Sequence, residues 1–391
     1  MASVEAVLRS VGLDRHPDAD RIATAYRSDR VLRVDGRAPQ VWSHYSGFWR
    51  AADGWLRTHG NYPHHARALR RALDVPAEVS TDDLRAVFAA ASVREFVERI
   101  TGTGGLAVAV HPEDRAEDAM LRGRPLVEIT RIGARGSECA TTRPDPDAPL
   151  RGIRVLDLTR VIAGPVCTRT LALLGADVLR LDPPGLPEPE WQHFDTGHGK
   201  RSALLDARSP QMSALLTEAD VVVLGYRPAA LERLDLSPVT LAERHPGLVI
   251  AQLSAWGLEH PDRAGFDSLV QAESGIAMIE SPDGERPGVL PAQALDHSAG
   301  YLLAAAICEV LARRAREGGT WHLSTSLRRV AAELLGMPRR DRPLPEREID
   351  LSLHSQEFTV DGHTIATAAP ALPGFSFAAP RAWGADRPRW R

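Results

Sequence analysis

The sequence has almost no lysine: Lys200 is the single one, and 46 of the 47 lysine and arginine residues are arginine. A bias towards arginine explains the count but not the position of Lys200, which lies in the segment HGKRS beside the best motifs. Lysine suits a phosphate or a thioester, so we keep Lys200 as a candidate ligand. Cysteine is scarce too. Cys139, Cys167 and Cys308 show neither a disulfide framework nor metal-ligand spacing, which favours a reducing cytoplasm.

Charge of one sign and long apolar runs are also lacking. The formal net charge of −4 gives no reason to expect nucleic acid or an acidic membrane. We find no run as long as a membrane span, and MASVEAVLRSVGLD is not a signal peptide. No G-x-G-x-x-G fingerprint, P-loop or zinc spacing occurs. We therefore expect no membrane, no metal and no tightly bound cofactor.

What the sequence does contain is a β-loop-α-β unit at residues 151–185. A strand at 153–158 is followed by a turn closed by Gly164 and Pro165, an apolar-striped helix and a strand at 177–181. In a parallel sheet, the turn after the first strand lies at the ligand-binding edge. This unit looks like the beginning of a domain although it begins late in the chain, so we predict a separate unit before it.

The pattern along the chain predicts an α/β protein: a doubly wound, largely parallel Rossmann-like sheet with a second, smaller α+β domain. The predicted parts are a small domain at 1–133, a linker at 134–150, a large domain at 151–335 and a C-terminal extension at 336–391 that packs back on either domain. In the small domain we predict helices at 2–11, 41–56, 64–73, 81–91 and 93–100, and strands at 106–110 and 126–132. In the large domain we predict strands at 153–158, 177–182, 201–206, 220–226, 248–254 and 321–326, with helices beginning near 165, 209, 228, 238 and 298. Two weaker strands are predicted at 356–360 and 364–367.

Three segments carry candidate site residues. The turn TRVIAGP after the first strand presents backbone N–H groups that can bind a nucleotide, or it is only a tight Gly-Pro turn. Tyr226 and Arg227 follow the fourth strand at the same edge, as ligand contacts or as a strand-to-helix turn. Asp296 begins a long apolar-striped helix. One interpretation is that Asp296 is an ordinary N-cap. The alternative is that it is a nucleophile, kept ionised by the helix dipole and placed beside free backbone N–H groups.

Six segments in series resemble the family III CoA-transferases, the CaiB/BaiF family of formyl-CoA transferase, carnitine CoA-transferase and α-methylacyl-CoA racemase. They are LRGIRVLDLTRVIAGPVCTRTLALLGADVLRLDPPG, TGHGKRSALLDARSP, ADVVVLGYRPAALERLDLSP, LSAWG, RAGFDSLVQAESGI and ALDHSAGYLLAAAICEVLARRAREGG with WHLSTSL, and they cover about half of the chain.

The resemblance implies an acyl-CoA:carboxylate CoA-transferase. Asp296 falls on the family's catalytic aspartate, which forms a mixed anhydride with the acyl group and then an aspartyl-CoA thioester. The substrates are coenzyme A esters and a carboxylic acid acceptor. Residues that match the family's CoA-binding edges are Arg160, Val161, Ile162, Ala163, Gly164, Lys200, Arg201, Tyr226 and Arg227. The family also implies a homodimer.

The sequence departs from the family in three places. Phe266 stands before Asp267 where the racemases have histidine, which disfavours racemase chemistry unless His297 or Glu273 substitutes. No glycine-rich loop follows Asp296. Residues 49–132 look like the family's small domain, but here they come first. Two alternatives therefore stay open, an acyl-CoA racemase or isomerase and a non-catalytic acyl-CoA-binding or partner protein. The altered order also leaves a monomer possible.

Overall fold

The computed structural model describes residues 1–133, 145–339 and 348–391. Most of the predicted linker and part of the predicted C-terminal extension lie outside these residues. The described helices are α1 Ala2–Ser10, α2 Ala19–Tyr26, α3 Ser28–Val31, α4 Pro63–Leu73, α5 Thr81–Ala89, α6 Val93–Gly102, α7 Arg115–Arg122, α8 Ala163–Leu173, α9 Glu190–Thr196, α10 Pro210–Glu218, α11 Pro228–Glu232, α12 Pro238–Arg244, α13 Asp267–Glu273, α14 Ile276–Ile279, α15 Ala294–Glu317 and α16 Leu327–Leu335. A 3-10 helix spans Leu351–His354.

The described strands form three sheets. Their bounds are β1 Arg33–Val34, β2 Gly47–Arg50, β3 Trp55–Thr58, β4 Ala107–Ala109, β5 Glu128–Arg131, β6 Arg154–Leu158, β7 Asp177–Asp182, β8 Arg201–Leu204, β9 Val221–Leu224, β10 Val249–Ser254, β11 Trp321–Ser326, β12 Ser355–Val360 and β13 His363–Ala368. The large sheet has the order β5-β11-β10-β9-β6-β7-β8, and the two smaller sheets have the orders β2-β3-β4 and β1-β13-β12.

The large sheet is parallel throughout except at β5, which pairs antiparallel with β11. Its central strands are apolar on both faces because both faces are covered. In β6, for example, Val155 packs into the core that contains α8 and α15, and Leu156 packs into the core that contains α10 to α12. The predicted mixed α/β fold with a large, mostly parallel sheet is confirmed.

The N-terminal region divides between the sheets. Strands β2, β3 and β4 pack with α4, α5 and α6 around a core of their own, which includes Trp49, Phe88 and Ile100. By contrast, α1 packs into the main core through Val4 and Val7, and β5 extends the large sheet. Contacts therefore cross the predicted boundary at residue 133, and the domain limits stay a prediction.

The hairpin β2–β3 replaces the helix predicted at 41–56, which is wrong. The tryptophans in that range fall near helical spacing, but side chains alternate across a strand. Trp49 accordingly enters the core of the small sheet, whereas its neighbour Phe48 packs against the main core. Residues 51–54 join the strands, and the backbone N–H of Ala51 donates to the carbonyl oxygen of Gly54 at 2.9 Å.

Helix α15 is the longest helix and positions the site. By length and composition it could cross a membrane, contrary to the sequence expectation, but 78% of its apolar window is buried inside the protein. It packs on α8 through Gly300, where a Cβ atom would lie 2.6 Å from the carbonyl oxygen of Ala163. Because Asp296 lies one turn earlier on the same helix face, this close approach holds it beside the turn that follows β6.

Candidate active site

Two neighbouring strands of the large sheet, β6 and β9, carry the loops that frame the site. The loop after β6 contains Arg160 and Val161, and the loop after β9 contains Gly225, Tyr226 and Arg227; all five line one cavity. The helices that follow these strands pack in the opposite cores, so the crevice between the two loops is where an open α/β sheet binds ligands. The sequence prediction that these two turns meet at one edge is confirmed.

The loop after β6 is strained. Val161 has a φ of 72°, a left-handed conformation that is a genuine outlier for a β-branched residue. Its backbone N–H lies 3.4 Å from a carboxylate oxygen of Glu188. The same oxygen accepts a hydrogen bond from Arg180 at 2.6 Å, and Tyr62 donates to the other oxygen. This buried network holds the loop in place beside Asp296.

Asp267 caps the helix on which Asp296 lies. Its Oδ2 accepts hydrogen bonds from the backbone N–H groups of Leu295 and Asp296, at 2.9 and 3.0 Å. Its Oδ1 accepts one from the side-chain amide of Gln271. The residue at the usual capping position, Gln293, makes no side-chain cap. Asp267 therefore satisfies two of the N–H groups that a helix leaves unpaired at its beginning, and Asp296 is not the N-cap.

Both aspartates are costly to ionise, and Asp267 adds to the cost for Asp296. Burial raises the pKa of Asp296 well above its usual range, and the adjacent Asp267 raises it further. Burial also raises the pKa of Asp267 to about 6, although its hydrogen-bond donors oppose the rise. This differs from the expectation that the helix dipole keeps Asp296 ionised. Its reactive, ionised form becomes dominant only as the pH rises.

Asp296 lies where two cavities meet. The larger has a volume of about 840 Å³ and the smaller about 360 Å³. Both are lined by Tyr62, Val161, Phe266 and Asp296. A group bound in one cavity and a group bound in the other would therefore both reach the Asp296 carboxylate.

The larger cavity is lined by cationic and imidazole side chains from both parts of the chain. They are Arg160, Arg227, Arg263, His64 and His65. Two of the arginines are already paired: the Arg160 guanidinium lies 3.6 Å from Glu188 and over the ring of Tyr62, and Arg263 forms an ion pair with Glu273. Arg227 is exposed and donates one hydrogen bond to the carbonyl oxygen of Asp262. This lining suits the phosphates of a nucleotide-like ligand.

The smaller cavity is walled by aromatic side chains, and of those named here only Phe266 was singled out from the sequence. His59 stacks on Phe266 with ring centroids 3.9 Å apart and an angle of 7°. Trp42 meets His59 edge-on at 5.9 Å. The dense run of aromatic and histidine residues at 42–65 was the signal that could have found them.

Lys200 and Arg201 lie elsewhere. The Lys200 ammonium is buried, donating to Asp157 at 3.0 Å and to the carbonyl oxygen of Pro165 at 2.9 Å. Arg201 is paired with Asp177 and donates to the carbonyl oxygen of Arg389. Neither residue lines either cavity. The predicted contact of this pair with phosphate conflicts with these positions, because a buried, paired cation cannot reach a ligand in the crevice.

The candidate substitutes for a racemase histidine are also placed away from the cavities. His297 is buried against the ring of Tyr26, and burial lowers its pKa to about 3. Glu273 is paired with Arg263. Of the other predicted residues, Ile162 lines the smaller cavity and Ala163 the larger. Gly164 packs on Thr159, where a Cβ atom would clash at 2.4 Å.

The large α/β sheet thus carries a buried carboxylate between a cavity with a cationic lining and a cavity with an aromatic lining. The sequence profile of CoA-transferase family III matches residues 150–350, just over half of the chain. The chain belongs to this family.

Several curated proteins are similar to the chain. A probable fatty acyl-CoA transferase of Mycobacterium tuberculosis is 34% identical over an alignment of 230 residues that covers 52% of this chain and 58% of that protein. A formyl-CoA:oxalate CoA-transferase of Afipia carboxidovorans is 29% identical over 49% of this chain and 50% of its own length. A succinyl-CoA–D-citramalate CoA-transferase of Chloroflexus aurantiacus is 32% identical over 44% and 48%. The chain thus spans about half the length of the curated relatives it matches.

Two crystal structures are also similar. A hypothetical protein of M. tuberculosis matches with a TM-score of 0.45 and 34% identity, over 49% of this chain and 57% of that one. A CaiB/BaiF family protein of Brucella suis matches with a TM-score of 0.45 and 26% identity, over 49% and 56%.

Proposed function

We propose that this protein is an acyl-CoA:carboxylate CoA-transferase with Asp296 as its nucleophile. The observation that carries the proposal is the position of Asp296 at the junction of the two cavities, one cationic and one aromatic. Coenzyme A would lie in the larger cavity, against Arg227 and the loop at Arg160–Gly164, and its acyl group would enter the smaller one. Family membership supports this reading.

In the proposed reaction, the Asp296 carboxylate first accepts the acyl group and then the CoA group. An Asp296 oxygen attacks the thioester carbonyl carbon, the C–S bond breaks, and the CoA thiolate leaves behind a mixed anhydride. The thiolate then attacks the aspartyl carbonyl carbon and releases the first acid as its carboxylate, which leaves an aspartyl-CoA thioester. An acceptor carboxylate attacks the carbonyl carbon of that thioester, the C–S bond breaks, and a second mixed anhydride forms. The released thiolate then attacks the acceptor's carbonyl carbon, which forms the new CoA thioester and frees the Asp296 carboxylate. One thioester is consumed and one is formed, so the overall exchange proceeds at little net cost.

Trapping tests the nucleophile. We expect incubation with an acyl-CoA and hydroxylamine to convert Asp296 to its hydroxamate, detected by mass spectrometry of the peptide that contains it. Asp296→Asn should give no adduct at this position. Exposed Asp283 serves as an internal control carboxylate and should remain unmodified. If CoA binds but Asp296 is never modified, the transferase proposal fails and a non-catalytic acyl-CoA-binding protein replaces it.

Isotope exchange tests the racemase alternative. A 2-methylacyl-CoA incubated in deuterated water exchanges its α-hydrogen only if the protein has an acid and a base at the α-carbon. The positions of His297 and Glu273 outside both cavities favour no exchange. Rapid exchange at the α-carbon would replace the transferase proposal with the racemase.

Three broader features belong to the same proposal. We infer a doubly wound, Rossmann-like arrangement from the strand order and from the cores on both faces of the large sheet. Following the family, we propose a homodimer, with a monomer as the alternative that mass measurement in solution would detect. A cytoplasmic location is proposed from the buried free thiols of Cys167 and Cys308.

A further inference from the structure

The two cavities differ in the charged residues that line them, because arginines lie only in the described lining of the larger one, beside Asp262 and Asp296. The charged residues lining the smaller cavity are Asp29, Asp267 and Asp296, all acidic, and no lysine or arginine is among its described lining. Arg57 lies behind its wall, with the guanidinium carbon 5.3 Å from the centroid of the Trp42 ring. The larger cavity, by contrast, has three arginines. A second carboxylate on a bound acyl group would thus meet acidic side chains in the smaller cavity and no cation to pair with.

The walls of the smaller cavity are flat and largely uncharged. Phe266 and His59 stack almost in parallel, and Tyr62 lies 6.2 Å from Phe266. Burial lowers the pKa of His59 well below its usual range, so the imidazole is neutral at physiological pH. Trp42 and Trp191 complete the aromatic lining. Such rings stabilise an apolar or aromatic ligand by burying its surface and by stacking.

The size of the cavity limits what it can hold. Its volume of about 360 Å³ is at the low end of ligand pockets, which range over about 300–1,000 Å³. A compact ring or a short branched chain fits this space, whereas a long fatty chain needs more. The volume therefore excludes long acyl chains, and the acidic lining disfavours acyl groups that carry a second carboxylate.

We propose, building on the transferase function above, that the smaller cavity binds a compact monocarboxylic acyl group with an uncharged far end, of about phenylacetyl size. This substrate class differs from the dicarboxylic acids, oxalate and citramalate, for which two of the relatives are named. The carbonyl carbon lies at Asp296, the uncharged group lies among Trp42, His59 and Phe266, and coenzyme A lies in the larger cavity.

A panel of thioesters tests the charge preference. Acylation of Asp296 is followed by thiol release and by mass spectrometry, with phenylacetyl-CoA and isovaleryl-CoA as uncharged esters and succinyl-CoA and glutaryl-CoA as charged ones. We expect the uncharged esters to react at least about 100-fold faster, because a carboxylate buried without a cation loses its hydration uncompensated. Equal or faster reaction of the dicarboxylic esters overturns the inference and leaves the transferase function intact. If no ester acylates Asp296, it is the proposed function that fails.

Two variants of Gln40, an exposed residue of the cavity lining, test the location. Gln40→Arg adds a cation there and should raise the rate with succinyl-CoA, relative to phenylacetyl-CoA, at least about 10-fold. The matched Gln40→Glu should not raise this ratio. An equal ratio in both variants would show that the acyl group does not enter this cavity.

Substitution of Trp42 tests the aromatic wall. Trp42→Ala should lower kcat/KM for phenylacetyl-CoA at least about 10-fold and leave inhibition by free coenzyme A unchanged, since Trp42 lines only the smaller cavity. Trp42→Phe retains an aromatic ring and should recover most of the rate, which separates a lost contact from a misfolded loop. An unchanged kcat/KM in Trp42→Ala, with the fold intact, contradicts the proposal.

Discussion

A single oxygen of Asp267 holds the helix turn that carries Asp296: Oδ2 lies 3.0 Å from the backbone nitrogen of Asp296 and 2.9 Å from that of Leu295. The same group that orients the proposed nucleophile also adds a negative charge beside it. Geometry and electrostatics are thus coupled in one side chain, and two substitutions separate them.

Asp267→Asn retains an oxygen acceptor for the two N–H groups but removes the charge. Since the charge of Asp267 raises the pKa of Asp296, its loss lowers that pKa, and the acidic limb of the acylation–pH profile should move to lower pH. Asp267→Ala removes the acceptor as well and should reduce acylation at least about 100-fold at every pH. Acylation rates from pH 5 to 9 measure both. An unmoved limb in Asp267→Asn would contradict the coupling.

Asp296→Asn should stabilise the protein at high pH while it abolishes covalent catalysis. The pKa of Asp296 is raised in the fold, so only at a pH well below the ordinary pKa of an aspartate is the carboxyl neutral in both folded and unfolded chains, where it costs nothing. As the pH rises above the pKa of the unfolded chain, the unfolded chain ionises more readily than the folded one, and the cost to stability grows until the pH passes the folded pKa. The variant should therefore gain on the order of 2 kcal/mol at pH 8 and much less at pH 4. Urea unfolding at the two pH values measures this, and an equal gain at both would refute the explanation.

Lys200→Met should destabilise the fold rather than weaken CoA binding. Removal of the ammonium leaves the Asp157 carboxylate buried without its cation, which typically costs about 3–5 kcal/mol. Thr159 and Thr168 still donate to Asp157, so we expect a folded but less stable protein. Thermal and urea unfolding give the loss, and the KM for acyl-CoA at a temperature where the variant is folded should stay within about twofold of wild type. A normal stability with a raised KM would instead support the phosphate role predicted from the sequence.

Arg227→Ala should weaken the binding of coenzyme A esters. Arg227 is an exposed cation on the larger cavity, and a lost charge-assisted contact with phosphate is worth about 1.5–3 kcal/mol, which corresponds to a KM at least about 10-fold higher. Arg233→Ala is the matched control, since Arg233 pairs with Asp262 at the surface and does not line the cavity. Repeating the assay with 3′-dephospho-CoA identifies the phosphate, because the deficit of Arg227→Ala disappears if its partner is the 3′-phosphate. Equal KM values in the two variants would remove Arg227 from the site.

The strands of the large sheet could be predicted from the sequence because they are short apolar runs bounded by glycine, proline and aspartate. All six predicted strands of residues 151–335 are present, within two residues at most of their ends. The antiparallel pairing of β5 with β11 could not be predicted, since the tertiary fold sets which strands pair and the strand's own sequence pattern does not. Helix α13 Asp267–Glu273 was missed because seven residues give a weak periodic signal and, unlike the equally short α12 Pro238–Arg244, it has no proline to mark its first turn.

The site was predicted where it depends on local sequence and missed where it depends on distant segments. Asp296, Arg160 and Arg227 follow from strand ends and a helix beginning, and the structure brings them to the same cavity. His59 and Tyr62 come from a hairpin and helix more than 200 residues away from Asp296, and no local pattern links them to it. Lys200 was predicted to contact phosphate because it is the single lysine of the sequence. The partners that bury it, Pro165 and Asp157, are 35 and 43 residues away in sequence, so no local pattern indicated its burial.

The burial of Lys200 makes the single lysine of the sequence a probe of the fold around Asp157. Its side chain is 1% exposed and its ammonium pairs with the Asp157 carboxylate. Amine-directed reagents should therefore leave Lys200 unmodified in the native protein and modify it once this region opens. The rate at which Lys200 is modified would then report how often β6 and α8 separate.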